Sequence, residues 1–522
     1  MTKKTTLYLI ICISLGILGD LKAKKTFQND SLFSQKYTYQ TLSPYQKHLF
    51  DEFLTDEIPV GVKVESVLSD HTSLRSKTRL AEALLFRNAA GDKEKAVIIL
   101  QWILKNQYQD ENTKIYGIWK TAIINDKFDQ NWREFIGCDL IIIRNKFRNI
   151  LPENIIKDIE TGIIHAAKGA FKRNVAPDYT NISIMSAFLM EFVGTEFGLD
   201  EIKKAGLKKA RDIFKLYQTN KTFSEFNSPT YYGVTLIGLA LWRELAFSKE
   251  IQEMGKALEK DFWHEVATFY NPNLRNMPGP YFRGYGMDMT KYFAITGIWI
   301  GLALDDEKLA PLPPQKGPKY GEMSNLAPIF NLGLSIPKAD LAKLKTFSKP
   351  QFITRNIPNN YKGDSIKKVT AMINRDWMMG GLWGNLRVWE QLKTGTIHWK
   401  TADGDIAWLM VLGDGKTNVK VNQTQMDIFA ADTKATSFEI YVYAKNITDE
   451  AFTNKKWILP AMKLGINTSL KITQIEKISD KKLHDDYAVS DEIPYLMKIV
   501  YEIPSNWNLE KPLLEITPKT IK

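Results

Sequence analysis

The stretch KTFSEFNSPTYYG, residues 221–233, opens an apolar helix-forming run from Val234 to Phe247. A second helical run, Ile251 to Tyr270, follows, and then GPYFRGYGMD, residues 279–288. Two loops rich in Tyr, Asn, Arg and Gly thus bracket a helical hairpin. Building a core calls for apolar residues, not this mixture. Both loops are expected to meet at the mouth of a helical barrel and to form an active site there.

Working outward, the chain from Pro44 to about Leu304 reads as successive helices. The runs are 44–55, 75–89, 92–107, 131–149, 153–173, 181–197, 200–218, 231–247, 249–270 and 288–304. Apolar residues recur at helical spacing, as in Ile155, Ile159, Ile163 and Ala167. Breaks fall at cap or turn residues such as Leu151-Pro152, Gly198-Leu-Asp200 and Asn271-Pro-Asn273. Some runs are apolar almost all round, notably Val234 to Trp242. Others are amphipathic and Lys-rich, notably Glu201 to Tyr217. The first kind is buried and the second faces water on one side. Their alternation fits two concentric rings, an α/α toroid, and no tight repeat marks a solenoid.

Residues 305–337 change character. Pro311-Leu-Pro-Pro314 and Gly317-Pro318 predict a stiff linker. Beyond Phe347 come short β-type runs, including Lys368–Ile373, Leu386–Gln391, Thr396–Trp399, Ile406–Leu412, Thr436–Tyr443 and Leu496–Ile503, which predict a β-sandwich. The expected fold class is mainly α plus β: an N-terminal α/α toroid, an incomplete barrel of helical hairpins, followed by a C-terminal antiparallel β-sandwich domain. The expected division is 1–23 signal peptide, 24–304 toroid, 305–346 Pro-rich linker and 347–522 β-sandwich.

The N-terminal reading rests on Lys3 and Lys4, the apolar run Leu7–Leu18 and the small-residue site at Ala23, which predict a secreted or periplasmic protein. No other run reaches membrane length. Removing residues 1–23, with three Lys and one Asp, takes the 70 basic and 59 acidic residues to 67 and 58, a net charge of +9. Such a balance suits steering toward a polyanion, or merely solvated Lys on helix faces. No nucleic-acid or nucleotide motif is present. Cys138, the one Cys outside the leader, sits in an apolar run as a core thiol. No Cys/His metal spacing occurs and no cofactor is evident, although a structural calcium held by carboxylates and carbonyls would leave little trace in a sequence. Nothing in the sequence sets the oligomeric state.

Three segments carry candidate chemistry. In Asp178-Tyr-Thr-Asn181, Asn181 begins an otherwise apolar helix, either as a cap or as an amide aimed into the barrel mouth, with Tyr179 beside it. In Glu225-Phe-Asn-Ser-Pro-Thr-Tyr-Tyr-Gly233, Pro229 forces an extended or turn conformation on Ser228 and starts a helix whose first turn holds Tyr231 and Tyr232. In Arg283-Gly-Tyr-Gly286, two glycines flank Tyr285 and would let the backbone bend around it. Tyr, Arg and Asn together suit β-elimination on a polyuronate. An amide or Arg neutralises the carboxylate beside C5 and stabilises the enolate-like intermediate. A Tyr phenolate takes the C5 proton, and a phenol returns one to the leaving C4 oxygen.

The order of these elements resembles the α/α-toroid polysaccharide lyases, most of all the alginate and glucuronan lyases, and shares its plan with the chondroitin-AC-type and heparinase-type enzymes. The resemblance implies a helical toroid, an antiparallel β-domain and a site in a groove across the toroid. It implies a secreted lyase acting on an acidic polysaccharide such as alginate, glucuronan or ulvan. It carries catalytic roles onto Asn181, Tyr232 or Tyr231, and Arg283. The family's His has no counterpart, since no His lies between His165 and His264, and Asn227 stands near its place. That shifts the weight to Tyr, with Tyr285 competing with Tyr232. Tyr231, Tyr179, Asn227, Glu225, Trp119, Lys120, His398 and His71 are expected to contact substrate. A glycoside hydrolase using Glu225 and Asp288 and a non-catalytic glycan binder are the competing readings.

Overall fold

The computed structural model describes residues 31–521 except 125–127, 358–366, 385–387, 479–488, 490 and 491. The expected signal peptide lies outside the described residues. Helix α1 (Pro44–Glu57) begins at Ser43, whose Oγ accepts the Gln46 N–H at 3.1 Å. Two layers of helices follow. The inner ones are α2 (Leu74–Arg87), α4 (Trp132–Phe147), α6 (Thr180–Glu196), α8 (Tyr231–Leu245) and α10 (Ile295–Leu304). The outer ones are α3 (Asp92–Leu104), α5 (Glu153–Arg173), α7 (Asp200–Asn220) and α9 (Lys249–Phe269). Each inner helix from α2 to α8 packs on the next inner helix and on its outer partner, and α10 closes the series against α8, so the hairpins form an incomplete α/α toroid.

Hydrophobic pattern explains the layering. All of α10 is buried, as is α8 from Tyr232 to Arg243. The outer α7 buries one stripe at three- and four-residue spacing, Ile202, Gly206, Ala210, Ile213 and Tyr217. Helix α10 starts at Ile295, later than the sequence suggests. Asp288 Oδ1 accepts from Asn276 Nδ2 (2.7 Å), from the Thr290 N–H (2.9 Å) and from the Thr290 hydroxyl (2.8 Å), which holds the preceding residues in turns.

The segment expected as a linker is largely ordered into elements. It contains α11 (Leu326–Leu332), β2 (Leu334–Pro337) and α12 (Lys338–Lys345), and β2 pairs antiparallel with β1 (Leu32–Gln35). Every residue of α11 is buried, and it packs on α2, α4 and α8 together. It therefore plugs the interior of the toroid. Phe330 meets Tyr37, Phe50 and Phe86, Arg243 Nη2 donates to Gly333 O at 2.9 Å, and Asn331 Nδ2 donates to Glu82 at 2.8 Å. The prolines stiffen only the first part of the segment, while the apolar run after Asn325 needs a core.

The C-terminal part is two antiparallel sheets. The eight-stranded sheet contains β3 (Gln351–Ile357), β4 (Lys367–Ile373), β5 (Trp377–Trp383), β6 (Val388–Lys400), β7 (Ile406–Asp414), β10 (Ser437–Tyr443), β13 (Ile472–Lys477) and β14 (Leu496–Glu502), in the order β13-β14-β10-β7-β6-β5-β4-β3. The five-stranded sheet contains β8 (Thr417–Val421), β9 (Met426–Ala430), β11 (Lys456–Leu459), β12 (Met462–Asn467) and β15 (Leu514–Thr520), in the order β11-β12-β15-β9-β8. Along β7, Ala407, Leu409 and Val411 face the core between the sheets. Ile406, Trp408 and Met410 join the core shared with the helices. A sheet covered on both faces needs continuous apolar strands, which is what the run at 406–412 supplies.

The loop at 277–286 lies along this sheet. Tyr281 and Lys393 exchange backbone hydrogen bonds of 3.1 and 2.8 Å, and the Gly284 N–H donates to Gln391 O at 2.9 Å. A Cβ at Gly380 would lie 1.8 Å from Gly279 O. This close approach explains Gly380, and Val419 on β8, 2.7 Å from a Cβ at Gly381, explains its neighbour; together the pair hides β5 from sequence pattern. Lys291 joins the two parts again, 2.8 Å from Asp405 and 3.7 Å from Glu492.

Two outcomes test this packing. Gly380→Ala is expected to destabilise the protein by about 1–3 kcal/mol in denaturant unfolding, while Gly321→Ala, with nothing within 4 Å of its added Cβ, stays near wild type. Burial pushes the Glu492 carboxyl up to about 7, with Lys291 opposing and Asp288 reinforcing. The folded state then holds this proton more tightly than the unfolded chain. Its stabilisation is complete below the ordinary carboxylate range and is lost as pH rises through about 7. Glu492→Gln is expected to flatten that part of the stability–pH curve.

Candidate functional site

The five inner helices run the same way round the toroid, and each brings its N-terminal turn to one pocket of about 280 Å³. Arg75 comes from α2, Asn131 from the start of α4, Asn181 from α6, Tyr231 from α8 and Ile295 from α10. Arg283 and Tyr285 arrive on the loop before α10, and Lys319, Glu322 and Asn325 on the approach to α11. Several first-turn N–H groups already have partners, among them Asn181 N–H to Glu225 at 3.4 Å and Tyr231 N–H to Ser228 Oγ at 3.1 Å, so what the ring of five helix starts offers an anion is its positive dipole ends.

At its centre the Arg283 guanidinium is shared. Nη1 donates to Glu225 Oε1 at 3.0 Å, Nη2 to Tyr231 Oη at 2.6 Å and Nε to Gln391 Oε1 at 3.1 Å. It also lies 3.5 Å from the centre of the Tyr231 ring. Tyr231 Oη is 2.7 Å from Tyr285 Oη, and Gln391 Nε2 donates to Tyr285 Oη at 3.3 Å. Burial pushes the Tyr231 phenol above its ordinary range, with Arg283 working the other way. Burial likewise raises Glu225, against the pull of Arg283. Burial lowers Arg283, but Tyr231, Glu225 and Tyr285 more than offset it and hold the guanidinium charged.

Asn181 is buried. Its Oδ1 accepts the Ile182 N–H at 2.7 Å, and that donor fixes which end of the amide is which. Nδ2 then has no partner. A buried amide donor without a partner, on a pocket-lining side chain, is suited to a ligand oxygen. Tyr179 also lines the pocket, with its hydroxyl accepting from Asn131 Nδ2 at 3.0 Å.

The sequence candidates divide sharply. Asn181, Tyr231, Tyr179, Arg283 and Tyr285 share the pocket, and Glu225 supports them through Arg283. Tyr232 does not join them. One position along α8, its ring turns into the helical core, where its hydroxyl donates to buried Glu265 and its phenol is pushed well up by burial. Asn227 is not among the pocket-lining residues: with φ at 47°, it donates to Pro278 O (2.6 Å) and Pro280 O (3.0 Å), tying the two loops together. His398 is wholly buried beneath the second loop, 2.9 Å from Met287 O, and burial depresses it to about 4. Trp119 is a core residue, while Lys120 and His71 are not among the pocket-lining residues. The hydrolase pair does not form either. Glu225 is ion-paired, and Asp288 is buried away from the pocket. The carboxylates that line the pocket are Asp129 and Glu322. The glycines beside Tyr285 serve packing, not a left-handed turn: a Cβ at Gly286 would meet the Tyr292 ring at 2.6 Å.

Arg75, Asn131, Lys319 and Gln391 were not among the sequence candidates. A signal existed for the first two, because once alternate helices are read as an inner ring, all their first turns face one mouth. Lys319 and Gln391 carry no such mark. Among the described residues, no group of three or more His, Cys, Asp or Glu side chains is placed to hold a metal ion, and no helix is long and apolar enough to cross a membrane.

Fold and pocket define an α/α-toroid protein with an attached β-sandwich and a Tyr-Arg-Asn site at the toroid mouth. A family model described as Domain of unknown function (DUF8769) matches residues 48–327, more than half of the chain, and the chain belongs to that family. Among curated proteins none matches. A similar solved structure is the chondroitin AC lyase of Streptomyces coelicolor, in complex with chondroitin sulphate. It is 10% identical, with 93% of this chain and 80% of that chain covered and a TM-score of 0.48.

The split between the adjacent tyrosines is testable. Tyr232→Phe leaves buried Glu265 short of a donor and is expected to cost about 1–3 kcal/mol of stability while sparing ligand binding at the pocket. Tyr231→Phe is expected to weaken ligand binding at the pocket, and because it removes the acceptor of Arg283 Nη2 it is expected to cost stability as well. Unfolding curves and ligand titration on both variants check this.

Proposed function

We propose that this protein is a secreted polysaccharide lyase that cleaves a uronic-acid polymer, such as alginate, glucuronan or ulvan, by β-elimination. The observation that carries this reading is the meeting, in one pocket, of a hydrogen-bonded Tyr231–Tyr285 pair, Arg283 and the open amide of Asn181. In this reading the substrate carboxylate takes the Asn181 Nδ2 hydrogen bond, with the Arg283 charge behind it. That polarises the C5–H bond and stabilises the enolate-like intermediate. Tyr285, as phenolate, takes the C5 proton. Its charge is supported by the Tyr231 hydroxyl, the Gln391 amide and the Lys319 ammonium 4.8 Å from its ring centre. The electron pair from C5–H becomes the C4–C5 double bond as the C4–O bond breaks. The phenol then returns its proton to the leaving oxygen. One Tyr serves both steps when the C5 proton and the C4 oxygen lie on one face of the sugar, and no His is needed.

The product decides the matter. Incubation with alginate, glucuronan, ulvan, chondroitin and heparin is expected to yield an unsaturated uronate, read by ultraviolet absorbance, from at least one polymer. Reducing ends without that absorbance would mean hydrolysis and would turn attention to Asp129 and Glu322. Tyr285→Phe is expected to lower kcat by about 10²–10⁴-fold and Asn181→Ala by about 10²–10³-fold. Activity should climb on the alkaline side, because the deprotonated phenol is the base. Full activity in Tyr285→Phe would remove it from the reaction.

A further inference from the structure

We propose that Gln391, on strand β6 of the eight-stranded sheet, is the positioning residue that holds Tyr285 as an acceptor and so readies it to lose its proton. The inference rests on the lyase reading for its consequence, but not for its geometry. Arg283 Nε–H can only donate, so the Gln391 oxygen must face it at 3.1 Å. The planar amide then turns Nε2 toward Tyr285 Oη, at 3.3 Å. The same residue's backbone carbonyl accepts the Gly284 N–H at 2.9 Å, which fixes the loop between Arg283 and Tyr285. One residue thus sets guanidinium, loop and phenol together.

The consequence is chemical. Tyr231 Oη receives an N–H from Arg283, and Tyr285 Oη receives one from Gln391. Each phenol oxygen therefore has a donor waiting if it becomes a phenolate. The charged and titratable groups facing Tyr285 are Tyr231 at its oxygen, Lys319 over its ring, and Arg283, whose partner Glu225 stands beyond. Among the described residues, the hydrogen-bond partners of the Tyr285 oxygen are Tyr231 and Gln391, neither of them a carboxylate. A carboxylate introduced at Gln391 would touch that oxygen, and it would still accept from Arg283. The helical toroid supplies the pocket, while the β-sandwich supplies the group that orients its reacting phenol.

The test compares Gln391→Glu and Gln391→Met with the full-length wild type by two readouts. The first is the ultraviolet tyrosinate titration, taken as the difference between each protein and the same protein carrying Tyr285→Phe. The second is kcat and KM against pH. Gln391→Glu is expected to move the Tyr285 titration, and the alkaline rise in kcat with it, up by about one pH unit or more. Gln391→Met is expected to lower kcat about 10–100-fold with KM little changed, and to move the titration upward as well. A role in packing alone would change melting temperature while leaving both pH profiles in place, and that result in either folded variant overturns the proposal. If the wild type forms no unsaturated product from any polyuronate but the titration still moves, Gln391 does position Tyr285 and it is the lyase reading that fails.

Discussion

One guanidinium holds this site together. Arg283 sits on a loop, yet its three donor directions are spent on Glu225 from the preceding loop, Tyr231 from the first turn of α8 and Gln391 from the sheet. Its carbonyl is held as well, by the Ser228 hydroxyl at 2.6 Å. Taking an ion pair out of water is costly unless every remaining hydrogen-bonding position is filled. Here the filling groups come from three separate parts of the chain. The pair therefore forms only when toroid, loop and sheet are all in place, and the same bonds that stabilise the charge set the geometry of the two phenols.

The loop carrying Arg283 depends in turn on close backbone contact. Gly380 lets Gly279 approach the sheet, Thr396 Oγ1 accepts the Gly279 N–H at 2.7 Å, and Asn227 spans the gap back to the first loop. Buried His398 lies underneath as a neutral spacer. These residues never reach the pocket. They explain why so much polar chemistry is spent away from it: a loop with few apolar side chains must be fixed by hydrogen bonds if it is to hold reacting groups still.

The large features were readable because they follow from burial. Helices apolar all round alternate with amphipathic ones, and that dictates two layers. What escaped reading has equally physical causes. Tyr231 and Tyr232 lie about 100° apart on α8, but α8 is apolar on every side, so no periodicity shows which of them faces the mouth. The segment at 305–346 announces itself by its prolines, and its apolar centre looks too short to be a helix until a ring of helices is there to receive it. Strand β5 is hidden by Gly380-Gly381, whose roles are set by Gly279, about a hundred residues earlier, and by Val419 on the facing sheet. Gln391 is an ordinary residue in an ordinary strand, and only the sheet's position against the toroid gives it a task.

Net charge is a poor guide to what the pocket favours. Arg79 is held by Asp139 at 3.0 Å and Arg283 by Glu225 at 3.0 Å, so two of the lining cations are already balanced. Arg75, stacked over the Phe135 ring at 4.8 Å, and Lys319 stand against the lining carboxylates Asp129 and Glu322. Side chains alone leave the site close to neutral. The bias comes from the backbone. Five helix N-termini converge there, each worth on the order of 0.3–1 kcal/mol toward an anion at an exposed site and more where water is excluded. The open Asn181 amide adds a neutral donor that costs no counter-charge. An anion held by helix dipoles and a neutral amide in a partly enclosed pocket would be screened by salt less than one held by a patch of surface lysines.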